Sequence, residues 1–110
     1  MDNHYKKITS KEQFDDLVKR SSEAPVVIFK HSLACPVSSS AYRELKDFSS
    51  EISLVEIQNS QELSRQIGDA TGIRHESPQI IVLRHGEPVW HASHWNITTH
   101  SLEQALHDHA

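Results

Sequence analysis

The stretch Val26-Val27-Ile28-Phe29-Lys30-His31-Ser32-Leu33-Ala34-Cys35-Pro36-Val37-Ser38 decides how this chain is read. After Pro25, Val26 to Phe29 are β-rich and apolar without alternation, which predicts a strand buried on both faces. Cys35 then stands directly before Pro36. Proline suits the first helical turn, because its missing N–H has no intrahelical partner there. With Pro36 in that turn, Cys35 falls at the N-cap. Val37, Ala41, Leu45 and Phe48, spaced four, four and three apart, give the following helix one apolar face. The segment reads as buried strand, short loop, thiol, helix.

The flanks extend this pattern. Upstream, Ser10 with Gln13 three residues on forms a capping-box pattern, and Phe14, Leu17 and Val18 supply an apolar stripe. Downstream, Leu54 to Ile57 predicts a second strand. A helix then starts around Asn59, with Glu62 as its capping partner, and ends before Gly72; its buried stripe is Leu63, Ile67 and Ala70. Gln79 to Leu83 and Pro88 to Trp90 predict two strands joined through Arg84-His85-Gly86-Glu87, a hairpin connection. A last helix begins at Thr98, with Ile97 and Leu102 placed as a hydrophobic staple. The order is α-β-α-β-α-β-β-α. Strand, helix, strand requires a right-handed crossover between parallel strands. With the hairpin this gives an α/β, thioredoxin-like fold: a mixed four-stranded sheet flanked by helices, in a single domain over residues 1–110.

Composition narrows the function classes. The chain has 110 residues, 36% hydrophobic and 24% charged, with a net charge of −4, so it shows no basic footprint for nucleic acid or an anionic membrane. Its apolar runs are too short to cross a bilayer. The N-terminal residues Met1 to Lys7 lack the apolar stretch of a signal peptide. One cysteine excludes an internal disulfide and points to a reducing compartment, hence a cytoplasmic location.

A lone cysteine in an intracellular domain is usually an inert core residue. Three features reverse that reading here: the strand-to-helix position, the following proline, and a serine where a second cysteine would complete C-x-x-C. At a helix N-terminus, unpaired N–H groups and the helix dipole favour thiolate over thiol. Ser38, three residues on, is placed to donate to the sulfur through its hydroxyl or its N–H. Lys30 and His31 are candidate sources of positive charge. Ser77-Pro78 is a second element. In thioredoxin-like proteins a cis-proline at this topological position packs opposite the redox cysteine, and Ser77 would then present its backbone beside Cys35. The nine histidines include the pairs His91/His94 and His107/His109, but neither has cysteine or carboxylate partners at ligand spacing, so no metal site is expected. Ser93 and His94 are expected to border the thiol. The ordinary reading of Trp90 and Trp95 is as core and cover residues, and for Trp90 it is the preferred one.

Ala34-Cys35-Pro36-Val37-Ser38 resembles the T-C-P-I-S motif of the monothiol bacilliredoxins, a thioredoxin-superfamily group also described as general-stress proteins. His75-Glu76-Ser77-Pro78-Gln79 and Trp90-His91-Ala92-Ser93-His94-Trp95 resemble further segments of that family, so the likeness spans nearly the whole chain. Ala34 departs from the usual threonine and Val37 from isoleucine. The resemblance implies an enzyme, a thiol–disulfide oxidoreductase that removes bacillithiol or a related low-molecular-weight thiol from S-thiolated client proteins. Cys35, Pro36 and Ser38 would form the catalytic motif; Ala34, Ser77, Pro78, Ser93 and His94 would contact substrate. No cofactor is implied beyond the low-molecular-weight thiol as co-substrate. With no second cysteine, an external thiol or reductase must resolve Cys35. The alternative is an iron–sulfur cluster carrier or a non-catalytic redox-sensing adaptor of the monothiol glutaredoxin type. Pro36, and the lack of a Gly-Gly pair after the hairpin, disfavour a glutathione-binding glutaredoxin.

Overall fold

The computed structural model describes residues 4–110; residues 1–3 of the N-terminal stretch read above lie outside the described residues. The strands are β1 (Tyr5–Lys7), β2 (Val26–His31), β3 (Ile52–Glu56), β4 (Gln79–Arg84) and β5 (Glu87–Ser93). The helices are α1 (Lys11–Arg20), α2 (Pro36–Glu44), α3 (Gln61–Thr71) and α4 (Thr99–Asp108), with a short 3-10 turn at His94–Asn96. The strands form one sheet in the order β1-β3-β2-β4-β5. β2 and β3 run parallel, whereas β4 is antiparallel to both β2 and β5. No helix among the described residues is long and apolar enough to cross a membrane.

Alternation along β2 divides the core. Val27 and Phe29 face α2 and α4, packing with Ala41, Leu45, Phe48, Ile97 and Leu102. Val26 and Ile28 face α1 and α3, packing with Phe14, Leu17, Leu63 and Ile67. Every residue of β2 is buried, as expected of a central strand covered on both sides. The expected caps of α1 and α4 form: Ser10 with Gln13, and Thr98, whose hydroxyl oxygen accepts from Ser101 N–H. Ile97 and Leu102 are both buried in one cluster. At the hairpin, His85 and Gly86 both have positive φ (56° and 76°), the geometry of a two-residue turn whose twist matches its strands.

Three expectations are corrected. The sheet has five strands rather than four, because Tyr5–Lys7 pairs in parallel with β3 (Tyr5↔Ile52, Lys7↔Leu54). A three-residue edge strand with two exposed lysines has no apolar period to reveal it, and the lysines guard the open edge. Tyr5 supplies its anchor, stacking on Tyr42 at 4.3 Å and donating its hydroxyl to the Tyr42 carbonyl (2.8 Å). Second, the N-cap position of α3 is Ser60, not Asn59, and Ser60 makes no side-chain capping bond. No capping box forms: Asn59 Nδ2 donates to Glu56 (3.1 Å), and Glu62 pairs with Arg65. Third, Ala70 is exposed; the buried stripe of α3 is Leu63, Ser64 and Ile67. Gly72 ends that helix at φ 71°, a left-handed conformation that a side chain would strain.

Candidate functional site

Cys35 is the N-cap of α2 and Pro36 opens the helix, as the sequence predicts. The thiol is half-buried and unbonded to another cysteine. Its sulfur makes no capping hydrogen bond. What reaches it from the helix is therefore the field of the N-terminus, not a direct N–H contact.

Ser38 does not turn its hydroxyl to the sulfur as expected. It is fully buried, and its Oγ accepts from Ser32 N–H (2.8 Å) and lies 2.7 Å from His31 Nδ1. Ser38 therefore ties the first turn of α2 back to the end of β2. Removing this hydroxyl orphans a buried N–H, which costs about 1–3 kcal/mol. Ser38→Ala is expected to lose that much stability in urea unfolding.

The two cationic candidates are also corrected. Burial lowers the His31 pKa, with Glu56 opposing the shift, so the ring is neutral at neutral pH; it stacks on Tyr42 at 4.9 Å. Lys30 has 0% exposure and lies on the α3 side of the sheet, opposite to α2. Its Nζ donates to the Ser64 carbonyl (3.0 Å) and lies 3.4 Å from His75 Nδ1; burial lowers its pKa to about 8. The His75 pKa is lowered as well, first by burial and then by Lys30.

The Ser77-Pro78 bond is cis. Pro78 is buried directly before β4, and Lys30 pairs with Gln79, so this turn and the Cys35 loop emerge from adjacent strands at one end of the sheet. Ser77 Oγ is buried without a partner among the described residues. The Pro78 carbonyl accepts from His94 N–H (3.0 Å), which draws the segment after β5 to the same end. His94 has φ 55°, and its Nδ1 is 3.4 Å from Glu76 Oε1. Ser93 ends β5 and makes no side-chain capping bond. Ala34 is exposed on the loop before the thiol.

Trp90 packs against the core as expected. Trp95 is 70% exposed and Leu33 51%; these are the exposed large hydrophobic residues among the described residues. A more enclosed groove, lined by Pro25, Val26, Glu51 and Leu106, lies at the opposite end of the sheet from Cys35. The sequence reading also missed Gln58, in the turn after β3. It accepts from Leu33 N–H (3.0 Å) and donates to Ser32 Oγ (2.8 Å). No periodic or motif signal marks a loop amide that acts across 25 residues.

Comparison with known proteins agrees with this architecture. A thioredoxin-fold protein proposed to be an oxidoreductase is 32% identical, with a TM-score of 0.86 and 94% of each chain covered. The thioredoxin of Fasciola hepatica superposes with a TM-score of 0.75 at 11% identity, covering 96% of this chain and 99% of that one. That of Trypanosoma brucei brucei gives 0.73 at 20% identity, covering 93% and 87%. These two show the fold alone. The model of the family described as monothiol bacilliredoxin BrxC matches residues 6–102, which include the thiol loop, the cis-proline turn and the segment after β5. A thioredoxin fold with one open thiol at a helix head is the framework of a thiol oxidoreductase, and the chain belongs to the monothiol bacilliredoxin family.

Proposed function

We propose that the protein is a cytoplasmic monothiol thiol–disulfide oxidoreductase that removes bacillithiol, or a related low-molecular-weight thiol, from S-thiolated client proteins. The observation that supports this most is the pairing of an open Cys35 with a Ser38 buried and committed to His31 and Ser32. Such a site can begin an exchange but cannot finish it internally.

The Cys35 thiolate attacks the small-thiol sulfur of the mixed disulfide. The client–small-thiol S–S bond breaks, a Cys35–small-thiol S–S bond forms, and the client sulfur leaves as thiolate and takes a proton from water. A second low-molecular-weight thiol, or an external reductase, then attacks the small-thiol sulfur of the adduct. That step returns the Cys35 thiolate and carries the small thiol away as a new disulfide. Ala34, Ser77, Pro78, Ser93 and His94 are proposed to contact the substrate around the sulfur, and Pro36 to hold the helix start. No step requires a resident cofactor.

Intact-mass measurement after challenge with oxidised bacillithiol, glutathione disulfide and cystine tests the reading. The expected result is a single bacillithiol adduct on Cys35 that free bacillithiol removes within minutes. An adduct that persists under excess thiol would overturn turnover in favour of a redox-sensing adaptor. A stable visible chromophore on iron and sulfide reconstitution would favour a cluster carrier instead.

A further inference from the structure

The loop from β2 to α2 has no regular secondary structure over residues 32–34, yet each of its amides meets a side-chain oxygen. Ser32 N–H donates to Ser38 Oγ (2.8 Å), Leu33 N–H to Gln58 Oε1 (3.0 Å) and Ala34 N–H to Ser32 Oγ (3.4 Å). Gln58 closes this arrangement by donating through Nε2 to the same Ser32 Oγ (2.8 Å). One side-chain amide thus grips two consecutive residues of the thiol loop from another segment of the chain.

The base of Gln58 is itself held. Ile57 N–H donates to the His31 carbonyl (2.9 Å) and Asn59 N–H to the Glu56 carbonyl (3.0 Å), which fixes the turn on either side. Residue 58 is exposed, so core filling does not account for its orientation. Both of its polar ends are instead spent on the stretch that delivers the chain to Cys35.

We propose that Gln58 is a positioning residue for Cys35. By holding Ser32 and Leu33, it fixes the direction in which the chain enters the N-cap and keeps the sulfur at the positive end of α2. Without that grip the loop samples other paths, and the thiolate spends less time in the field of the helix terminus. This rests on Cys35 being the reacting thiol, but not on which disulfide it attacks.

The experiment is the pH–rate profile of Cys35 alkylation by iodoacetamide, on the full chain and on Gln58→Met, Ser32→Ala and the double variant, with thermal melts alongside. Iodoacetamide reports the thiol whatever its natural substrate, so failure here is distinguishable from failure to release bacillithiol. Alkylation on the rising limb of the profile is expected to slow about three-fold in Gln58→Met, while the high-pH plateau and the melting temperature change little. Because Gln58 acts partly through Ser32, the double variant is expected to shift less than the sum of the two single changes. An unmoved profile in Gln58→Met, or single shifts that simply add, would overturn the proposal.

Discussion

Replacing Cys35 by serine is expected to reduce release of the small thiol from an S-bacillithiolated protein to the rate of the protein-free reaction. Thiol–disulfide exchange needs a sulfur nucleophile that both attacks and leaves as thiolate. A serine hydroxyl at this position is not ionised and cannot carry the mixed disulfide. No other sulfur nucleophile can substitute, since the chain has one cysteine. The same substitution is expected to make the protein more stable. Cys35 occupies an N-cap without making a capping hydrogen bond, whereas serine is among the best N-cap residues and would accept from the first-turn amides of α2. A gain of about 0.5–1 kcal/mol in urea unfolding is expected. The variant would thus combine no turnover with a higher unfolding midpoint. Turnover equal to the parent would refute Cys35 as the nucleophile; turnover lost together with stability would show that the site had been dismantled, not silenced.

That opposition between capping and chemistry explains what was legible in the sequence. Local signals wrote themselves plainly: Pro36 after Cys35, Ser10 with Gln13, Ile97 with Leu102, and His85-Gly86 between two strands. Each is a short-range choice whose physical reason lies within a few residues. The parts that escaped depend on which long-range partner a polar group finds. Ser38 has the spacing to reach the sulfur, but the buried Ser32 N–H and His31 ring claim its hydroxyl. Asn59 has the residue type of a cap, but its backbone N–H is held by the Glu56 carbonyl in the turn after β3 and the helix starts one residue later. β1 escaped because its pairing is decided by β3 and by Tyr5 stacking on Tyr42, not by any period of its own. Lys30 was partly recoverable. Extending β2 by two residues places it on the face of Val26 and Ile28, away from α2, which already excludes it as a charge beside the thiol.

Lys30 carries an electrostatic cost of its own. Its ammonium is fully buried, is met by one carbonyl and one imidazole nitrogen, and forms no ion pair with a carboxylate among the described residues. Burial lowers its pKa from 10.5 to about 8. Between those two pH values the unfolded chain holds a proton on this group that the folded chain has released, so stability rises as pH increases through that interval. Below about pH 8 both states are protonated, and the folded protein bears the full cost of the buried charge, about 3 kcal/mol for a displacement of this size. Lys30→Met keeps the length and apolar stem while removing the charge. The Ser64 carbonyl is still met by the helix, and His75 keeps a Ser64 hydroxyl within 3.4 Å. The variant is therefore expected to be more stable than the parent by about 1–3 kcal/mol at pH 7, with the difference closing towards pH 10.5 as the parent recovers. Urea unfolding of both proteins at pH 7, 9 and 10.5 checks this. A difference independent of pH would show that Lys30 is not the titrating group, and a less stable methionine variant would show that its two hydrogen bonds outweigh the burial of its charge. Lys30 links α3 to His75 through these two contacts, so the comparison weighs their worth directly against the burial of one charge.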